Sequence, residues 1–309
     1  MDMRLFEYVL EIYKTKSFTK AAFNLHIAQP SLSKQISKLE KELGVRLFNR
    51  NPGAVEPTPT GIYFVEKGEK ILQMRNDLER GILDRKDGIS GELKIGSTAI
   101  TGGRLLPPLL RIYNKLYPKV TIQLIEASTT ELIDLTGRGL VDISILSLPI
   151  EDPALEVKTI LTEPLYLVLP KEQKQWMSVD PSFLPNHLNQ NPYTLKHFSN
   201  CPFILLKQGY GFRRTVFELF AREGFEPYIA YETSSIETAQ SFVENGLGLT
   251  IVPEMVIRND ATKQGISYLQ LDANSTRTLA FTYSKNRYLS MNAKAFMEIY
   301  QLESKKKGQ

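Results

Sequence analysis

From residue 60 to about residue 86 the chain runs without proline, and Phe64, Ile71 and Leu78 recur every seven residues with Leu72, Met74 and Ile82 beside them. This spacing predicts one helix, roughly twice the length of an average globular helix. A single helix cannot bury an apolar seam against itself, so the pattern calls for a partner helix from a second copy of the chain. The segment also splits the sequence into two unlike parts. Short amphipathic helical patterns precede it, and alternating strand and helix patterns follow the linker Asp87-Gly88-Ile89-Ser90-Gly91 that closes it.

In the first part, Leu5, Phe6, Val9, Leu10 and Tyr13 stand at helical spacing. Ser17 and Thr19 offer N-caps for a second helix burying Phe18, Ala21, Ala22 and Leu25. After Ile27-Ala28-Gln29, Pro30 suits the first turn of a third helix, whose apolar residues Leu32, Ile36, Leu39 and Leu43 precede a terminating Gly44. Ser31, Lys34, Ser37, Lys38 and Lys41 fall on its opposite face. Pro52-Gly53 and Pro57-Thr58-Pro59 bracket Ala54-Val55-Glu56, a pattern for a short hairpin or wing. A helix with a small, polar first turn and cations on its outer face can enter a DNA major groove. Its lysines neutralise phosphates, while Ser31, Ser33 and Gln35 reach base edges. A solvated basic helix face would carry the same lysines. The preceding helix, the tight turn and the following wing favour the DNA reading.

In the second part, residues 93–96, 105–117, 120–125, 132–137 and 141–146 alternate strand and helix patterns, which predicts a mostly parallel sheet covered by helices. A second series occupies 165–169, 203–206, 213–222, 236–244 and 249–252, and 279–283 with 293–302 can return to the first sheet. The turn 97–103 follows a strand and opens a helix, where unpaired N–H groups and hydroxyls make an anion site. Ser128-Thr129-Thr130 follows the second strand at the same edge, where open α/β sheets bind ligands. Both segments also serve as ordinary helix caps.

The chain has 309 residues, 42% hydrophobic and 23% charged, enough for two or three domains with real cores. No apolar run approaches the roughly 20 residues that cross a bilayer. The start Met1-Asp2-Met3-Arg4-Leu5-Phe6-Glu7 lacks the order of a signal peptide, so a cytoplasmic location with no membrane partner is expected. Cys201 is the one cysteine and the histidines stand at 26, 187 and 197, which excludes an internal disulfide and gives no zinc-ligand spacing. No metal, cofactor or catalytic residue is expected: the nucleophile-elbow, Walker, zinc-protease and dinucleotide motifs are absent, and Gly209-Tyr210-Gly211-Phe212 reads as a two-glycine turn. Cys201, beside Pro202 at the start of an apolar strand, is expected buried and inert. Trp176 falls in a polar loop. The net charge of +4 is compatible with a polyanionic partner.

The run Ser17-Phe18-Thr19-Lys20-Ala21-Ala22, Leu25 to Ile36, Leu39-Glu40, Leu43-Gly44 and Leu47-Phe48-Asn49-Arg50 resembles the winged helix-turn-helix of LysR-type transcriptional regulators. The resemblance continues through Thr58-Pro59-Thr60-Gly61, Gly91-Glu92-Leu93-Lys94-Ile95-Gly96, Leu106-Pro107, Tyr117-Pro118, Gly139-Leu140-Val141-Asp142-Ile143 and Gly246-Leu247-Gly248-Leu249-Thr250-Ile251-Val252-Pro253. It therefore spans essentially the whole chain. It implies an N-terminal all-α winged helix-turn-helix (1–59), a long linker and dimerisation helix (60–89) and a two-subdomain α/β effector-binding domain resembling periplasmic binding proteins (90–309). Subdomain I would take about 90–162 and 268–309, and subdomain II about 163–267.

The resemblance further implies a homodimer or homotetramer joined through Phe64, Ile71 and Leu78. Such an assembly binds interrupted palindromes in double-stranded promoter DNA, with RNA polymerase a further partner. Gln29, Pro30, Ser31, Ser33 and Lys34 match groove-facing positions; Lys38 joins them from the helical wheel and Gln35 from its reach to base edges. Two departures stand in the wing, where Gly53 replaces a frequent basic tip residue and Pro57 a usual leucine, leaving Arg50 as the nearest cation. In the second part the effector cleft would take Ser97, Thr98, Ile100, Thr101, Ser128 and Thr129, with Ser147, Lys207, Gln208 and Thr250 opposite. Thr98, Thr101, Ser128 and Thr129 include no carboxylate, which favours a small organic or inorganic anion as effector. Glu126, just before the second loop, would instead favour an ammonium group if it faced inward. Two rival functions are a cytoplasmic small-molecule binding protein whose N-terminal domain serves assembly, and an enzyme on a binding-protein scaffold. The second lacks a nucleophile or acid/base pair in the expected cleft.

Overall fold

A computed structural model describes residues 1–51, 54–171, 195–257 and 265–307. The expected wing tip, Gly53, and the loop tryptophan, Trp176, lie outside the described residues. The chain forms two compact units, Met1–Lys86 and Asp87–Gln309.

The first unit contains α1 (Met3–Thr15), α2 (Phe18–Asn24), α3 (Gln29–Leu43), β1 (Phe48–Asn51), β2 (Ala54–Pro57) and α4 (Pro59–Asp87). Capping explains the breaks. The Asp2 carboxylate accepts from Arg4 N, the chain leaves α1 through Lys16 at φ 49°, and the Ser17 hydroxyl caps α2 by accepting from Lys20 N. Thr19, the other candidate cap, lies inside α2. Pro30 sits in the first turn of α3, and Gly44 ends it at φ 70°. Val9, Ile12, Ala21, Leu32, Ile36 and Leu47 are fully buried where the helices meet, whereas Tyr13 and Leu43 remain exposed at the ends of theirs.

β1 and β2 pair antiparallel, from Phe48 opposite Pro57 to Asn51 opposite Ala54, forming the wing. The Glu40 carboxylate ties α3 to it by accepting from Leu47 N and Phe48 N at 2.8 and 3.2 Å. Thr58 then locks the start of α4: its hydroxyl donates to Arg46 O at 2.7 Å and accepts from Gly61 N at 2.9 Å. A Cβ on Gly61 would lie 2.0 Å from the Leu47 carbonyl oxygen, so only glycine permits this approach. The Thr58-Pro59-Thr60-Gly61 run is thus a cap, a first-turn proline and a close contact.

The seam of α4 divides in two. Phe64 stacks on Phe6 with ring centroids 5.2 Å apart, Val65 is buried and Leu72 packs at the core's edge. Phe64, one of the expected dimerisation residues, is half-buried with its ring packed inside the unit. Ile71 is half-buried. Beyond it Met74, Leu78 and Ile82, each four residues from the last, are exposed by 71%, 65% and 56%.

The second unit opens with β3 (Gly91–Ser97), α5 (Ala99–Leu116), β4 (Val120–Glu126), α6 (Thr129–Gly137), β5 (Ile143–Ser147) and β6 (Leu155–Pro170). It continues through β7 (Pro202–Leu206), α7 (Gly211–Arg222), β8 (Tyr228–Thr233), α8 (Ile236–Glu244), β9 (Thr250–Pro253), β10 (Ile266–Gln270), β11 (Thr276–Ser284) and α9 (Met291–Lys307). β3 pairs parallel to β4 and β5, as short β-α-β crossovers require. The sheet is mixed, however, not mostly parallel. β11 returns antiparallel to β5, and the first part of β6 lies antiparallel to β11. Tyr113, Phe281 and Phe296 fill the core beneath α5 and α9.

β6 then passes into a second sheet, pairing antiparallel with β9 from Leu165 and with β10 up to Pro170. β7 and β8 pair parallel and join β9 through a bridge between Phe203 and Leu249. The two α/β halves thus share one long strand, and β11 carries the chain back.

Candidate DNA-binding and effector-binding sites

α3 buries Leu32, Ile36 and Leu39 in the first unit's core and turns the other side to solvent. Gln29, Pro30, Ser31, Lys34, Gln35 and Lys38 are all exposed and Ser33 is half-buried. Lys38 lies 3.8 Å from Glu42 one turn on, with both side chains largely exposed, a pairing too weak to withdraw the ammonium from another anion. The N-cap of α3 is Ala28, which makes no side-chain cap bond, so the positive helix end stays open to a phosphate. That feature was legible in the sequence as an alanine where a hydroxyl or amide is preferred. Arg50 lies in β1, its backbone opposite Val55.

In the second unit, parallel pairing sets Ser97 beside Glu126, and Ala127 N donates to Ser97 O at 3.3 Å. The helices that follow these strands consequently begin side by side. Thr98, the N-cap of α5, makes no side-chain cap bond, and its hydroxyl donates to the Thr101 hydroxyl at 3.3 Å. Ser128 caps α6 by accepting from Glu131 N. The other half of the unit meets them through the turn before α7. Gly211 N donates to the Thr129 hydroxyl at 2.9 Å, and Thr130 N donates to Gly209 O at 3.1 Å. Gly209 takes φ 90°, and a Cβ on Gly211 would stand 3.2 Å from Thr129 Cγ2 and 3.5 Å from Ser147 O. Three helix starts, those of α5, α6 and α7, converge on one edge.

Of the residues expected in the cleft, Ser97, Thr98, Thr101, Ser128, Thr129 and Ser147 gather at this edge. Others do not. Thr250 is buried and its hydroxyl donates to Ile204 O at 2.7 Å, a bond inside the second half. Ile100 belongs to the apolar core of that half. Lys207 donates its backbone N–H to Thr233 O, and its exposed ammonium makes no ion pair among the described residues. Gln208 is exposed next to it. Glu126 approaches α5: its Oε2 lies 4.0 Å from where a Cβ on Gly102 would stand, with Ser97 Oγ at 2.6 Å. A carboxylate therefore flanks one side of the cleft.

Two features escaped sequence reasoning. The 209–211 turn was legible as glycines between a strand and a helix, but its position against Ser128-Thr129-Thr130 is tertiary. The other is an ion pair where β6 and β11 cross between the sheets. Arg277 Nε donates to Glu163 Oε1 at 2.7 Å, with the two side chains 1% and 3% exposed. Glu163 Oε2 accepts from Met255 N at 2.8 Å, and the guanidinium stands 5.3 Å from the Phe212 ring centroid. Burial pulls the Arg277 pKa down against the opposing pull of Glu163. Arg277 as the one charged residue of β11 was the available signal. Cys201 is buried, and desolvation pushes its thiol up to about 11. No helix among the described residues is long and apolar enough to cross a membrane.

Comparison with known proteins assigns both units. Residues 3–62 match the family model of the bacterial regulatory helix-turn-helix protein, lysR family, and residues 86–303 match that of the LysR substrate binding domain. The HTH-type transcriptional regulator YcgK of Bacillus subtilis (strain 168), itself described as uncharacterized, is 48% identical over 305 residues, 97% of this chain and 94% of that protein. The DNA-binding transcriptional dual regulator OxyR of Escherichia coli (strain K12) is 27% identical over 284 residues, 92% of this chain and 89% of that one. A full-length OxyR from Pseudomonas aeruginosa, solved as a cysteine-to-aspartate variant, superposes with a TM-score of 0.68 at 26% identity, covering 97% of this chain and 94% of that one. With helix-turn-helix, wing and substrate-binding fold all matched over nearly its whole length, the chain belongs to the LysR-type transcriptional regulators.

Proposed function

We propose that this regulator acts in the cytoplasm as a homodimer or homotetramer, and that it reads an interrupted palindrome near a promoter with α3. In this reading a small anion sets its activity from the edge where α5, α6 and α7 begin. The exposed stripe Met74, Leu78 and Ile82 supports assembly, since a second copy of α4 would cover it. Two copies of α3 would then meet two half-sites, with Lys34 and Lys38 on phosphates and Ser31, Ser33 and Gln35 on base edges. Arg50 would add a wing contact, and RNA polymerase would be met at the promoter. The role is regulatory and not enzymatic.

The observation that carries the effector reading is the convergence of three helix N-termini. Each supplies positive partial charge and N–H donors, and the N-cap Thr98 makes no side-chain cap bond to those of α5. Several relatives are named hydrogen peroxide-inducible genes activators. The buried Cys201, its thiol held protonated, argues against a peroxide-sensing thiolate here. A thermal-shift screen of small carboxylates and inorganic oxyanions tests the effector reading. Stabilisation by anions that is lost in Thr98→Val and Thr129→Val is expected. Stabilisation by amines alone, or normal ligand response in both variants, refutes it.

A further inference from the structure

A cavity of about 160 Å³ lies between the two α/β halves on side chains separate from the hydroxyl cleft. One wall is Arg104, in the second turn of α5; the facing wall is α8, with Glu237, Gln240 and Glu244 in one stripe. Val256 and Ile266 form an apolar floor. Arg104 follows Ile100 by one turn on the same side of α5, and Ile100 is buried in the core of the second half, so the guanidinium is held toward α8.

The charges on the two walls are largely uncompensated. Arg104 makes no ion pair or hydrogen bond among the described residues, and neither does Glu244. Glu237 accepts from Ser235 Oγ at 3.0 Å through one oxygen only. Gln240 Nε2 donates to the Tyr268 hydroxyl at 2.5 Å, which ties the stripe to the floor. A simple anion on Arg104 would face two carboxylates, and a simple cation on the carboxylates would face the guanidinium. A molecule with both charges satisfies both walls, because guanidinium binds carboxylate through paired N–H donors and ammonium donates to carboxylate oxygens. The volume, well below the roughly 300 Å³ at which drug-sized pockets begin, restricts it to a small metabolite.

We propose that this cavity binds a small zwitterion of the α-amino-acid class, its carboxylate on Arg104 and its ammonium on Glu237 and Glu244. The ligand bridges α5 and α8 and so favours the spacing of the two halves in which both walls reach it. The site is independent of the anion cleft at the helix starts.

The test uses the full chain, thermal shift and titration calorimetry, with the standard L-amino acids, their methyl esters and their N-acetyl derivatives at millimolar concentration. At least one free amino acid is expected to bind, with its ester and acetyl forms about tenfold weaker or worse, as loss of a charge-assisted bond implies. Arg104→Gln and Glu244→Gln should each weaken it by a similar factor, while Thr98→Val and Thr129→Val should leave it unchanged. The proposal fails if no free amino acid binds, if the ester or acetyl form binds as well as its parent, or if Arg104→Gln has no effect on a bound amino acid. Loss of binding in the two threonine variants overturns it as well, by moving the ligand to the cleft.

Discussion

Replacing Glu163 by glutamine removes one negative charge and one acceptor from the crossing of β6 and β11. In the native pair one carboxylate oxygen accepts from Arg277 and the other from Met255 N, and both side chains are almost wholly buried. Glutamine retains a single amide oxygen. It can still serve Met255, but its NH₂ then faces a donor, and the guanidinium is left buried without a counter-charge. Breaking such a pair from one side costs about 3–5 kcal/mol, most of it the penalty of the stranded charge. For a domain of this size that corresponds to a melting temperature lower by about 6–20 °C. The stranded charge can be removed as well. In the double variant Glu163→Gln, Arg277→Met the amide keeps the Met255 bond and the methionine packs against Phe212, so most of the loss should return. Calorimetry of the full chain, with hydrogen exchange of the β6 and β11 amides to assign the transition to this unit, measures both. A single-variant cost below about 1 kcal/mol, or a double variant as unstable as the single, would show that the pair does not act as a buried ion pair.

The other predictions address assembly, DNA and packing. Leu78→Glu should leave each copy folded, because the side chain is 65% exposed, yet dissociate the oligomer in sedimentation; an intact oligomer would remove the distal α4 seam from the interface. In Lys34→Ala, Lys38→Ala the log–log dependence of DNA affinity on salt should become shallower by about one for each phosphate no longer neutralised, and an unchanged slope would take α3 off the phosphates. Gly61→Ala drives a methyl group into the Leu47 carbonyl, so the first unit should lose about 1–3 kcal/mol in chemical denaturation; wild-type stability would contradict the close approach. The folded chain holds the Cys201 proton to about 11, whereas the ordinary value is 9.0. That stabilisation is full below 9.0 and disappears as pH rises through about 11, so wild type should lose more stability than Cys201→Ala between pH 8 and 10.5. Parallel losses would mean the thiol reaches water.

Local chemistry made much of this protein legible. Ser17 as a cap, Pro30 in a first turn, Gly44 at a left-handed stop and the seven-residue recurrence in α4 act within a few residues of themselves, and each appears where the spacing predicts it. The hydroxyls at Thr98 and Ser128 likewise follow strands directly, so their place at a sheet edge was implied by the order of elements. Partner choice was not. The first part of β6, which interleaves Thr and charged residues with apolar ones, became a strand because β11 supplied hydrogen-bonding partners along its length. Phe64 has the same period as Leu78, yet one stacks on Phe6 and the other meets solvent, beyond the point where Glu7 of α1 pairs with Arg75. Thr250 was expected on the opposite wall of the cleft, but the Ile204 carbonyl takes its hydroxyl. Arg277 gained meaning only from Glu163, distant in sequence and adjacent across the ladder. Caps and periodicity are properties of a short stretch of backbone, written in sequence. Which long-range neighbour desolvates a side chain or takes its hydrogen bond is decided by the packing of the whole unit, and only the tertiary structure contains that decision.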